Sequence, residues 1–209
     1  MNLNLIDHLV WAVPDLDQGV SLIQEKLGII PVLGGQHPGR GTRNALFAIG
    51  TRQYFEIIAP DPDQAKPSEG RWMAIDLISE PTLTRWAAAT NELKEKEEQA
   101  HKAQIPIGPV KPGSRKTPDG TLLEWVLTVP SIGKKVDPFP FWIDWSGAHH
   151  PADRLPQMVS LREFKVISPY HEFLSRQFLA LGIDIPVEDG FRPMLSVKLE
   201  GPKGEIWLS

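Results

Sequence analysis

The feature that most constrains this chain is a strand-then-helix opening that recurs along it. Residues 6–13 run Ile6, Asp7, His8, Leu9, Val10, Trp11, Ala12, Val13, an apolar stretch carrying one histidine, and Pro14 and Asp15 then open a helix. Near-continuous apolar character over 3–13 predicts a strand covered on both faces. Over 15–28, Leu16, Val20, Ile23 and Leu27 share one helical face; Asp15 suits the cap, Asp17 the first turn and Gly28 the stop. Strand candidates follow at 29–33, 42–49 and 53–59, the last two joined by a short hairpin at Gly50 and Thr51. The unit reads strand, helix, strand, strand, strand.

After a proline-rich crossover at 60–70 the pattern restarts. The expected elements are a strand at 72–78 and a helix over 81–103 with Leu83, Trp86, Thr90 and Leu93 inward. A proline-interrupted edge strand at 105–110, a turn at Pro118, Asp119 and Gly120, and strands at 121–129 and 139–145 complete the unit. The charged run 91–99 reads as a solvated helix face. A second linker, 146–156, leads to a third copy. This copy has a strand at 159–167, a helix opened by Ser168 and Pro169, and short strands at 185–187, 195–199 and 205–208. Tyr170, Phe173, Leu174, Phe178 and Leu181 form the expected buried stripe of that helix. Leu27, Gly28, Ile29 and Leu181, Gly182, Ile183 end the first and third helices alike.

One such unit leaves a sheet face open, so two are expected to pair around a central cavity with the helices outside. The predicted fold class is therefore α+β: repeated βαβββ units at 1–60 and 71–146, together one domain over 1–151, plus a third, shorter βαβββ-like unit at 159–209. That third unit needs a further packing surface or a partner chain, and a homodimer is one outcome.

Composition narrows the function. The 209 residues carry a net charge of −4 with both signs interspersed, which gives no basic face for nucleic acid. No cysteine is present, so disulfides, thiolate zinc sites and cysteine nucleophiles are excluded. No apolar run approaches the roughly 20 residues of a membrane span, and the N-terminus does not read as a signal peptide; the expectation is a cytoplasmic protein. Neither a phosphate loop nor a dinucleotide fingerprint nor Gly-x-Ser-x-Gly occurs, so no nucleotide cofactor is expected.

Two successive βαβββ units resemble the vicinal oxygen chelate superfamily of glyoxalases, extradiol dioxygenases and bleomycin-resistance proteins, and within it the glyoxalase-like domain branch. The resemblance rests on residues 6–10, on 34–46 with Gly34, Gly35, His37, Arg40, Gly41 and Asn44, and on Tyr54, Phe55, Glu56 and Pro60. In the second unit it rests on Ser114, Arg115, Pro118, Asp119, Gly120, Asp144, Trp145, His150 and Pro151. It implies a small-molecule enzyme of lyase, isomerase or dioxygenase type using a divalent metal, with Zn, Mn, Fe and Ni not distinguished. His8 and Glu56 match the metal-ligand positions, and Glu56 is also the candidate catalytic group. The second unit departs from the family pattern: residues 71–77 hold no histidine, and the counterpart of His8 falls near Ala74 or Ile75. Asp144, His149, His150 and His37 are the candidates for a further ligand. The alternative for His8 and Glu56 is a hydrogen-bonded pair inside a wall.

His37 and Arg40 are expected in a glycine-rich loop that suits recognition of a carboxylate or phosphate at the cavity mouth, or else a plain turn. Asn44 is expected beside Glu56, and Arg115 is a further substrate-binding candidate. Trp125, Trp142 and Trp145 form either an aromatic wall or ordinary core. The competing function is a metal-free binding or sequestering protein of the drug-resistance type, and a third possibility is a filled cavity with the third repeat serving assembly.

Overall fold

A computed structural model describes residues 2–117, 120–131, 133–147 and 149–209. The first unit is β1 (Ile6–Ala12), α1 (Leu16–Leu27), β2 (Val32–His37), β3 (Thr42–Gly50) and β4 (Gln53–Pro60). The Asp15 side chain caps α1 by accepting the Gln18 amide, and Gly28 ends it in the left-handed region at φ 76°. The second unit is β5 (Thr82–Ala89), α2 (Leu93–Lys102), β6 (Val110–Lys116), β7 (Leu122–Thr128) and β8 (Phe141–Asp144). The third is β9 (Ser160–Ser168), α3 (His171–Ala180), β10 (Val187–Asp189), β11 (Met194–Gly201) and β12 (Gly204–Leu208).

The first two units form one eight-stranded sheet in the order β2-β3-β4-β1-β5-β8-β7-β6. β1 and β5 pair antiparallel at its centre, His8 opposite Ala87, and each unit's last strand lies parallel to its first. The sheet curls until its edges nearly meet: Arg115 on β6 donates to the Gly34 carbonyl on β2. The central strands β1, β3, β4 and β5 then have two buried faces. On β1, Leu9 and Trp11 join the convex core, whereas Val10 and Ala12 join the concave one with Ile58, Ala87 and Ile143. Burial on both sides is why β1 reads as continuously apolar.

Two expected elements of the second unit are different structures. Residues 82–89 are strand β5, not the first half of a helix. Leu83 and Trp86 are spaced as on a helix, and Ala87, Ala88 and Ala89 favour one, yet pairing with β1 on one edge and β8 on the other overrides that preference. Residues 72–78 are not a strand. Met73 and Ala74 have φ of 56° and 64°, which no strand accommodates, and a short 3-10 helix spans Ile75–Leu77. This segment crosses over the concave face, burying Trp72, Met73 and Ile75 there. The true counterpart of β1 is therefore β5, which also lacks histidine. The edge strand expected at 105–110 is β6, beginning at Val110. Pro118 and Asp119 of the expected turn lie outside the described residues.

The third unit keeps the element order but not the strand order, β10-β9-β11-β12, with its first strand inside the sheet. It packs on the convex face of the same chain. Trp86 of β5 meets Phe164 of β9 and Phe178 of α3 edge-on, and its Nε1 donates to the Pro138 carbonyl at 2.9 Å. At the far end the Lys203 amide bonds the Leu27 carbonyl. Tyr170 and Phe173, expected in the buried stripe of α3, are 73% and 58% exposed; Leu174 and Phe178 carry the buried face instead.

Candidate functional site

The concave face holds a polar line inside an apolar shell. Asp7 begins it, buried at the start of β1. Its Oδ1 accepts from His8 Nδ1 at 2.7 Å, and its Oδ2 accepts from Trp145 Nε1 at 3.0 Å and His150 Nε2 at 3.2 Å. Burial alone would raise its pKa, but the bonds from His150 and His8 outweigh burial and hold the carboxyl below its ordinary value. The bond to Asp7 engages Nδ1 and turns the other ring nitrogen, Nε2, toward Glu56 Oε2 at 4.0 Å. Tyr54 stacks on the His8 ring at 4.5 Å and fixes its plane.

Glu56 sits on β4, buried, between two histidines. Asn44 Nδ2 donates to its Oε1 at 2.6 Å, and His37 Nε2 lies 3.7 Å from the same oxygen. Oε2, the oxygen toward His8, is left for other chemistry. His37 is not in a loop at the cavity mouth as expected. It ends β2, where Thr42 Oγ1 holds its Nδ1 at 2.9 Å, and the same hydroxyl accepts from Trp72 Nε1 at 3.1 Å. That bond ties the covering segment to the floor.

Burial is the main cause that lowers the His37 pKa from 6.5 to about 4, with Arg115 and Arg40 adding to it and Glu56 opposing. A histidine depressed this way costs stability when it must charge. The folded state is therefore at full strength above pH 6.5 and loses stability as pH falls from there toward 4, by on the order of 3 kcal/mol. Urea titrations at pH 7.5 and 4.5 should show this loss, and His37→Gln should shrink it.

Two spaces with shared lining residues open on this line. An inner pocket of about 30 Å³ is lined by His8, His37, Asn44, Tyr54, Glu56, Trp72, Arg115, Trp125 and Trp145, among others. An outer chamber of about 210 Å³ shares His37, Trp72 and Trp125 with it, and adds Arg40, Lys111 and Gly113. Arg40 lies over the Trp72 ring at 5.1 Å. Trp125 and Trp145 thus wall the cavity, whereas Trp142 belongs to the convex core.

Gly34 makes room for the line. A Cβ there would fall 2.2 Å from Asn44 Oδ1, a buried atom already without a hydrogen-bond partner. Gly34→Ala should push Asn44 off Glu56 and cost about 1–3 kcal/mol, measurable as a lower melting temperature; an unchanged melt would contradict the packing described.

The other ligand candidates lie elsewhere. His150 has both ring nitrogens engaged, Nε2 on Asp7 and Nδ1 on the Ala152 amide, so it has no lone pair for a metal. Asp144 Oδ1 accepts the Ser146 amide, and neither Asp144 nor the exposed His149 lines the inner pocket. A resident dication fits this donor set poorly. His8 and His37 approach different oxygens of Glu56, Asn44 occupies one of them, and the guanidinium of Arg115 lines the same small space. Among the described residues, no three His, Asp or Glu side chains are grouped to hold a metal ion. Asp7 and Tyr54, which sequence reasoning passed over, prove central.

The glyoxalase-like domain family model matches residues 6–182. The chain belongs to the glyoxalase-like domain family. It is thereby a member of the vicinal oxygen chelate superfamily, a small-molecule enzyme or binder. Among solved structures, a hypothetical protein from Staphylococcus aureus superposes on this glyoxalase-like chain with a TM-score of 0.68 at 18% identity, over 97% of this chain and 84% of that one. Methylmalonyl-CoA epimerase from Streptomyces coelicolor, in complex with 2-nitronate-propionyl-CoA, gives 0.46 at 15% identity, over 66% and 95%. The epimerase from Mycobacterium tuberculosis gives 0.43 at 18%, over 69% and 91%. At these identities the likeness is one of fold alone. No curated protein matches the sequence significantly. No helix among the described residues is long and apolar enough to cross a membrane.

Proposed function

We propose that this protein is a small-molecule enzyme of isomerase or lyase type that moves a proton on a carbon beside a carbonyl, with Glu56 as the base. The observation that carries the reading is the state of Glu56: a buried carboxylate with one oxygen fixed by Asn44 and the other facing an imidazole that Asp7 orients. A carboxylate held this way is positioned for proton transfer. Glu56 Oε2 would take the proton as the C–H bond breaks. The electron pair passes to the carbonyl oxygen, and the proton returns from Glu56 or, across the 4.0 Å gap, by way of His8. Asn44, His37 and Arg115 line the space where that oxygen would sit, and Arg40 stands at the mouth.

The superfamily resemblance implies a divalent metal for this role. His8 and Glu56 offer two donors, and the second unit contributes a guanidinium to the same pocket, so no step is assigned to a metal. The second reading, a metal-free binding protein, is favoured by the aromatic walls of Trp72 and Trp125. Proton NMR in deuterium oxide separates the two. Incubating chelated protein with a panel of small carbonyl acids and ketones should give deuterium incorporation that Glu56→Gln abolishes. Saturable binding with no incorporation would favour the binding protein.

A further inference from the structure

Arg115 is a buried cation that makes no ion pair within 4 Å among the described residues, although Glu56 lines the same pocket. It is 6% exposed, lines the inner pocket, and donates to the Gly34 carbonyl across the seam between β6 and β2. A buried guanidinium is costly unless an anion meets it. The surrounding charge has the same sense: Arg40 and Lys111 line the outer chamber, so the way in is positive while the base lies at the floor.

Size narrows the choice of anion. A single water needs about 10–15 Å³ of such space, so about 30 Å³ takes a group of two or three heavy atoms, which is the size of a carboxylate. The outer chamber of about 210 Å³ lies below the roughly 300–1,000 Å³ of ordinary ligand pockets, and Trp72 and Trp125 give it flat apolar walls.

We infer that Arg115 is the counter-ion of a substrate carboxylate, and that the ligand is a small monocarboxylic acid with its acid head in the inner pocket and a short apolar or aromatic body between Trp72 and Trp125. The second unit then supplies a fixed cation, from β6, to the pocket for which the family resemblance implies a metal. This deepens the proton-transfer reading and rests on it only for the role of Glu56.

Calorimetric titration of the full chain in chelator, with phenylacetate and its neutral isostere phenylacetamide, tests the inference. Phenylacetate should bind about tenfold or more tightly than the amide, as expected of a charge-assisted bond. Arg115→Gln, which keeps an N–H for the Gly34 carbonyl, should erase that preference while the unliganded melt stays near wild type. Should that variant fail to fold, Arg115→Lys keeps the charge and should keep the preference. Equal affinity for the two compounds, no saturable binding of phenylacetate, or a preference that survives Arg115→Gln would overturn the inference. Running deuterium exchange on the same samples keeps the two readings apart. A carboxylate preference without exchange removes proton transfer and leaves the anion site, and exchange without the preference does the reverse.

Discussion

A chain ending at Gln157 should fail to fold, even though both βαβββ units of the eight-stranded sheet remain in it. The third unit covers the convex face. Phe164, Val166, Phe178, Leu195, Val197 and Leu199 belong to the same core as Leu9, Trp11, Ile23 and Trp86. Trp86 is fully buried, edge-on to two of the lost rings. Exposing a side chain of this size costs about 1.5–3 kcal/mol. Several such losses together reach the 5–15 kcal/mol that a whole domain typically possesses. The expected result is an aggregated or unfolded product by circular dichroism and size-exclusion chromatography. A soluble truncation melting cooperatively within a few degrees of the full chain would show that the convex face needs no cover.

Glu56→Gln should remove between about 10²- and 10⁴-fold of any proton-transfer rate, the range typical of a positioned acid or base. Folding should be nearly unaffected by comparison, because the amide oxygen still accepts from Asn44 Nδ2. Asp7→Asn should act differently. It removes the charge that accepts from His8, His150 and Trp145, so it should lower both the rate and the melting temperature. A Glu56→Gln variant as active as wild type in deuterium incorporation would end the case for Glu56 as the base.

Much of the first unit is legible in the sequence because its signals are local. Asp15 and Gly28 bracket α1 by capping chemistry, and the apolar run at 6–13 reads as a doubly buried strand. The second unit is harder for a physical reason. Leu83 and Trp86 mimic a helical stripe, and only the distant pairing of β5 with β1 and β8 makes residues 82–89 a strand. The pair of left-handed residues at Met73 and Ala74 leaves no mark in hydrophobic periodicity.

The site divides in the same way. His8, Glu56 and Asn44 are visible as polar residues in apolar strands, and the fold brings them together. His37 reads as a loop residue because Gly34 and Gly35 precede it, yet β2 continues through both. Asp7 is missed because its partners Trp145 and His150 lie 138 and 143 positions away. An acid next to a histidine at the start of an apolar run is the signal that could have found it.

Elemental analysis of protein purified without chelator or affinity metal decides whether Arg115, rather than a dication, carries the positive charge in the inner pocket. The predicted content of Mn, Fe, Ni and Zn is far below one atom per chain. About one atom per chain, lost in His8→Ala, would contradict it.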